Sequence, residues 1–261
     1  MRCLRKRKEL AALKIWAHRG CSYAYPENTL QAFEAACRYP ITGIELDIQL
    51  SKDGKIVVIH DEKVDRTTKA SGRVLDFTLE ELKQLKIESH PDMEGVTQYA
   101  QIPTIEEVFE LVKPHCLKQG MLINIELKNS VVRYEGMEEL ILETVNEWGI
   151  QDYIIYSSFN QESIKMLKKK EPSVKTGILA ASASDCLAFS EANPVDALHP
   201  CIKNLDVENL GEKTGLPVRA WNIRKYEPFY PDGGEVEMQD LDGLERIGVT
   251  DIFTNVPERY L

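Results

Sequence analysis

Residues 121–180 read MLINIELKNSVVRYEGMEELILETVNEWGIQDYIIYSSFNQESIKMLKKKEPSVKTGILA. Short apolar runs at 121–127, 153–157 and 174–180 alternate with longer segments, 138–148 and 161–170, whose apolar residues recur at helical spacing. That strand–helix rhythm decides the fold class, because it builds a parallel sheet with helices outside it. It extends in both directions. Upstream, 14–18 and 43–49 read as strands, and 28–38 reads as a helix with Leu30, Phe33, Ala36 and Cys37 on one face. A further helix at 104–112 opens with Thr104 and has Glu107 three residues on, a capping-box pattern. Downstream, strands at 197–199, 217–222 and 251–254 alternate with helices at 184–192, 207–214 and 241–247. Asp53-Gly54 turns the chain between strand 43–49 and a hairpin arm at 56–59. Residues 61–101 are polar and turn-rich, with one short helix near 79–85, and read as an insertion. Without the hairpin arm there are eight strands in the rhythm, which predicts a TIM (β/α)8 barrel with a small insertion after the second strand and hairpin, a single domain over 1–261. A doubly wound open sheet is the competitor, but no GxGxxG or GxxxxGK[ST] follows any strand.

The chain has 261 residues, 43% hydrophobic and 28% charged, enough to bury a large core and unlike a fibrous or disordered chain. Its net charge of −10 argues against a nucleic-acid binder. The six cysteines (Cys3, Cys21, Cys37, Cys116, Cys186 and Cys201) show no CxxC pair or zinc spacing, so they read as free thiols in a reducing, cytoplasmic setting; a disulfide or two in an exported enzyme is the alternative. The basic start, Met1 to Lys8, is not followed by an apolar signal core, and no run is long enough for a membrane span. It reads instead as a solvated first helix. Neither a nucleic-acid partner nor stable membrane insertion is expected.

In a barrel, chemistry gathers at the C-terminal ends of the strands. The first strand ends in His18-Arg19-Gly20, the second carries Glu45 and Asp47, and the hairpin arm ends at His60-Asp61. The third repeat carries Glu126 and Lys128, and the seventh ends in Trp221-Asn222. Strand period two puts Glu45 and Asp47 on one face, and likewise Glu126 and Lys128. Buried carboxylates are costly unless paired or metal-bound, and three from neighbouring strands would offer hard oxygen ligands to one Mg2+ or Ca2+. His90, His115 and His199 read as loop or surface residues.

These residues resemble the glycerophosphodiester phosphodiesterases. His18-Arg19-Gly20 with Pro26-Glu27-Asn28-Thr29-Leu30 and Phe33 is similar to the family's opening motif. Glu45-Leu46-Asp47, Lys52-Asp53-Gly54, His60-Asp61 and Asp65-Arg66-Thr67-Thr68 resemble its second block, and Ile125-Glu126-Leu127-Lys128 its third. The resemblance implies a TIM barrel that hydrolyses glycerophosphodiesters to glycerol 3-phosphate and an alcohol. It implies Glu45, Asp47 and Glu126 as metal ligands, His18 and His60 as the catalytic pair, and Arg19 and Lys128 at the phosphate. The expected roles are His60 as base and His18 as acid. The nucleophile is water, or the substrate's own glycerol hydroxyl through a cyclic phosphate. Trp221 is either an apolar wall for the glycerol backbone or barrel-core filler. Three departures stand out: Asn222 where the family often has Thr, Ile252 where it often has Gly, and Asn255 where Asp is common. None is expected to touch the acid–base or metal set. Three rivals remain: a related barrel acting on intact lysolipids or sphingolipids, a ligand-binding barrel without chemistry, and a metal-dependent barrel hydrolase acting on another phosphodiester.

Overall fold

The computed structural model describes residues 13–87, 100–222 and 240–261. The basic start, Cys3, His90, part of the insertion and the loop at 227–237 lie outside the described residues.

Strands β1 (Lys14–His18), β2 (Gly43–Leu50), β3 (Ile56–Val58), β4 (Leu122–Leu127), β5 (Ile154–Ser158), β6 (Lys175–Ala180), β7 (Ala197–Pro200), β8 (Arg219–Ala220) and β9 (Asp251–Thr254) form one sheet. All pair in parallel in the order β7-β6-β5-β4-β2-β1-β9-β8, apart from β3, which lies antiparallel on β2 as the hairpin arm. Parallel bridges from Leu198 to Val218 and from Cys201 to Trp221 join β7 to β8 and close the ring. The eight parallel strands make a TIM barrel, with helices between them. The open-sheet alternative fails at that closure.

Helices α1 (Leu30–Ala36), α2 (Leu79–Gln84), α3 (Ile105–Gln119), α4 (Met137–Trp148), α5 (Gln161–Lys170), α6 (Ala183–Ala192), α7 (Leu210–Thr214) and α8 (Leu241–Arg246) follow the sequence pattern closely. Thr104 and Glu107 form the expected capping box. Yet α3 runs seven residues beyond the expected end at 112, through Pro114. Proline removes one hydrogen bond and strains the preceding turn. Burial of Val112 and Cys116 on either side of it offsets that cost.

Alternation along the strands sorts side chains between two cores. Ile44, Leu46, Ile48, Ile123, Ile125 and Leu127 face outward and pack with Phe33, Phe109 and Ile141 of the helices. Trp16, Ile155 and Phe253 form a smaller cluster inside the barrel. Above it, the register sets polar residues in tiers: His18, Glu45 and Asn124 are level, and Asp47, Glu126 and Ser157 are level two residues further on. The insertion has its own core, in which Val64, Val74 and Leu82 pack on Val57, Ile59 and Ile102. Among the described residues Phe77 and Leu79 pack against this core, while Leu75 packs on the larger core outside the barrel. The five described cysteines are buried and free.

Candidate active site

The chain leaves β1 through a kink. Arg19 takes φ 56° and Gly20 φ 80°. A Cβ on Gly20 would lie 2.6 Å from the Ala32 carbonyl carbon, so both the conformation and the space at this turn demand glycine. Asn28, also in the left-handed region, donates its backbone N–H to the Arg19 carbonyl at 3.1 Å. Thr29 then caps α1 through Ala32 N. The result holds Arg19 and Asn28 over the end of β2. Arg19 donates its backbone N–H to Glu45 Oε2 at 3.0 Å, and its guanidinium lies 3.3 Å from Asp47 Oδ2. Asn28 Nδ2 donates to the same Asp47 oxygen at 2.8 Å. Non-glycine residues at positive φ are costly and cluster at functional sites.

Glu45, Asp47 and Glu126 come together as the strand period predicts. One oxygen from each lies within 4.8 Å of the others, a group that could hold a metal ion. Glu45 Oε1 and Asp47 Oδ1 are buried without a hydrogen-bond partner among the described residues. Two orphaned, buried carboxylate oxygens beside a third carboxylate fit a hard dication. Burial, then the charges of Asp47 and Glu126, push the Glu45 carboxyl well above the usual range. Burial works against ionisation of Asp47 too, but His60, Arg19 and Lys128 outweigh it and hold Asp47 low. Lys128, just beyond β4, donates to Glu126 Oε1 at 2.8 Å and approaches Asp47 Oδ1 at 4.0 Å.

Both histidines are held by Nδ1, which leaves Nε2 toward the charged groups. His60 Nδ1 donates to Asp61 Oδ1 at 2.6 Å, and its Nε2 is 3.1 Å from Lys128 Nζ. The loop beneath it is clamped by Gln49, whose Nε2 donates to the carbonyls of Ile59, His60 and Asp61. Tyr134 Oη fixes the other end of the Gln49 amide at 2.9 Å. His18 Nδ1 donates to Asn255 Oδ1 at 2.6 Å, and its Nε2 lies 3.9 Å from Glu45. Burial and the neighbouring Arg19 lower the His18 pKa to about 3.

Two expectations from the sequence are corrected here. Asn255 does touch the acid–base set, because the loop after β9 reaches back across β1, a contact 237 residues long in sequence that no local pattern reveals. His199 is no loop or surface residue. It is fully buried in β7, with its ring against Gly177, where a Cβ would come within 2.4 Å of it. His115 sits on α3 and does not line the cleft.

A cavity of ≈ 240 Å³ brings His18, Arg19, Glu45, His60 and Glu126 together with Phe159 and Trp221. Trp221 lines this cavity and meets Phe159 edge-on at 5.4 Å, while its Nε1 donates to the His199 carbonyl. Sequence reasoning left Glu27, Asn28, Gln49 and Asp61 without roles, although Glu27, Asn28 and Asp61 stand in quoted motifs and Gln49 is a polar residue in an otherwise apolar stretch of β2.

Comparisons with known proteins identify the family. A model described as the glycerophosphoryl diester phosphodiesterase family matches residues 18–259. A glycerophosphodiester phosphodiesterase of Caldanaerobacter subterraneus subsp. tengcongensis is 37% identical over 252 residues, covering 95% of this chain and 96% of that protein. One from Bacillus altitudinis is 38% identical over 247 residues, covering 94% and 96%. A phosphodiesterase from Oleispira antarctica, solved with the product sn-glycerol-3-phosphate, superposes with a TM-score of 0.76 at 27% identity, covering 95% of both chains. The chain is an enzyme that belongs to the glycerophosphoryl diester phosphodiesterase family.

Proposed function

We propose that the protein hydrolyses glycerophosphodiesters, the headgroup remnants of deacylated phospholipids, to glycerol 3-phosphate and an alcohol, and that residues 1–261 form one barrel domain with 61–101 as its insertion. The observation that carries this reading is the convergence in one cleft of three carboxylates, two histidines and two cations beside an aromatic wall. The product bound to the Oleispira relative supports the substrate class.

Glu45, Asp47 and Glu126 would hold one divalent cation, Mg2+ or Ca2+, which when bound supplies Lewis-acid polarisation of the phosphoryl oxygens. Arg19 and Lys128 add fixed positive charge where the phosphate sits. His60 is the base. The Asp61 carboxylate behind its Nδ1 stabilises the imidazolium that forms as Nε2 takes a proton from the attacking hydroxyl. The attacking oxygen bonds to phosphorus while the bond to the alcohol oxygen breaks. His18 is the acid and delivers its Nε2 proton to that leaving oxygen. Burial and the neighbouring Arg19 outweigh its hydrogen bond to Asn255, so its protonated form is a strong acid. The negative charge of a bound phosphodiester offsets Arg19 and favours that protonated form. Trp221 and Phe159 present an apolar face to the glycerol carbons.

The test is release of glycerol 3-phosphate from a panel of glycerophosphodiesters differing in headgroup, with lysophosphatidylcholine alongside. Turnover of the panel is expected. Turnover of the lysolipid alone, or none at all with either cation supplied, overturns the reading.

A further inference from the structure

The mechanism leaves two charged groups beside the cleft, Glu27 and Arg66, without a part, and gives Asp61 one only toward His60. Glu27 comes from the loop between β1 and α1, Asp61 from the segment after β3, and Arg66 from the 3-10 turn Val64–Arg66 that opens the insertion. Arg66 spans the other two. Its Nη1 donates to Glu27 Oε2 at 2.9 Å and its Nη2 to Glu27 Oε1 at 2.6 Å. Its Nε donates to Asp61 Oδ2 at 2.6 Å, and Nη2 also reaches Asp61 Oδ1 at 3.1 Å. Each carboxylate has a second partner inside the cleft. Glu27 Oε1 accepts from Arg19 Nη1 at 3.0 Å, and Asp61 Oδ1 accepts from His60 Nδ1 at 2.6 Å. The five side chains therefore form one continuous chain: Arg19, Glu27, Arg66, Asp61, His60.

The anchor of this chain is rigid. Val64 is fully buried in the insertion's own core, and its backbone N–H donates to the Gly72 carbonyl at 3.0 Å. Thr68 Oγ1 donates back to the Val64 carbonyl at 2.9 Å. Two carboxylates bound side by side by one planar fork is a geometry that guanidinium provides and an ammonium does not.

We propose that Arg66 is a positioning residue. Through Asp61 it fixes the His60 ring, and through Glu27 it fixes the Arg19 guanidinium, so the proton-transfer group and the phosphate-facing cation are held at one spacing. The insertion then has a catalytic reason to exist, since it carries the residue that joins the two. The inference rests on the roles given above to His60 and Arg19.

The test measures kcat and KM for Arg66→Met in the wild-type and Asp61→Asn backgrounds, on the best glycerophosphodiester of the panel, with circular dichroism of every variant. In the wild-type background kcat is expected to fall about 10- to 100-fold, the usual cost of removing a group that orients a reacting one. In the Asp61→Asn background the further loss is expected to be several times smaller, because residues acting as a unit are not additive. A general loosening of the fold would lower both backgrounds equally, and that result overturns the proposal, as does wild-type turnover in Arg66→Met. Arg66→Lys keeps one cation without the fork; its kcat is expected between the two, and it decides by the same comparison if the Met variant does not fold. His60→Ala tells the two readings apart. Near-normal turnover there overturns the catalytic assignment itself, whereas a deep loss beside an unaffected Arg66→Met overturns only the positioning role.

Discussion

Glu45, Asp47 and Glu126 crowd their oxygens within 4.8 Å of one another, whereas Glu27 and Asp61, in the adjoining wall, each face Arg66. Four of these five carboxylates are buried and Asp61 is half-buried, yet Glu45 stands apart from the paired side in its charge state. Burial opposes ionisation of Glu27, and Arg19 and Arg66 reverse this and hold it well below the usual carboxylate range. Asp61 behaves likewise, with His60 and Arg66 overcoming its burial. Glu45 goes the other way, raised by burial and by its two acidic neighbours. One wall is a finished salt-bridge network; in the other, Arg19 and Lys128 reach Asp47 and Glu126 while Glu45 Oε1 and Asp47 Oδ1 are left without a hydrogen bond. On the function proposed above, the second wall gives up stability for a cation site and the first holds its shape.

The sharpest way to break this contrast is to deny the crowded side its cation. Chelator treatment with verified metal removal is expected to reduce turnover to background, and Mg2+ or Ca2+ to restore it. Unchanged turnover would mean the carboxylates serve something else. Next in size, His18→Ala and His60→Ala, which sit where the two walls meet, are each expected to lose at least ~10²-fold in kcat with an unchanged far-ultraviolet spectrum. On the paired side, Arg66→Met is expected to destabilise by about 2 kcal/mol in urea titration, since charged hydrogen bonds are lost but Arg19 still neutralises Glu27. A loss below experimental error would show that the network is not held together as described.

The smallest effect tests the crowded side without the cation. In chelator, Glu45→Gln is expected to be as stable as the wild type at low pH and more stable near neutrality. The sign follows from the raised carboxyl. A group whose folded pKa lies above its unfolded value of about 4.3 contributes stability below that value and loses it as pH rises through the folded one. Glu27 and Asp61 are depressed and do the reverse: their contribution is present above ~4 and fades as pH falls below it. Thermal midpoints of both proteins from pH 4 to 8 give the answer. A difference that does not widen with rising pH would sink the assigned direction for Glu45.

Much of the site was legible because strand periodicity is local. Glu45 and Asp47, or Glu126 and Lys128, share a face by their spacing alone, and parallel register then puts Asp47 level with Glu126. The Asn255–His18 contact was not legible, because it joins residues 237 apart that meet only when β9 lies beside β1. His199 was misread for a related reason. A histidine at a short strand end says nothing about burial until Gly177 on the neighbouring strand is seen to make room for its ring. The helix end at α3 was placed too early because proline's local cost is visible in sequence, while the burial of Cys116 that outweighs it is not.

By itself, then, the sequence determined the repeated strand–helix order, the insertion, the polar residues at the strand ends and the motifs that resemble a family, each of which lies within a short stretch of chain. The tertiary structure alone decided that Asn255 stands behind His18, and that Arg66 links the insertion through Glu27 to Arg19. Those choices depend on side chains from distant segments arriving within hydrogen-bond reach, and closure of the barrel is what brings them there.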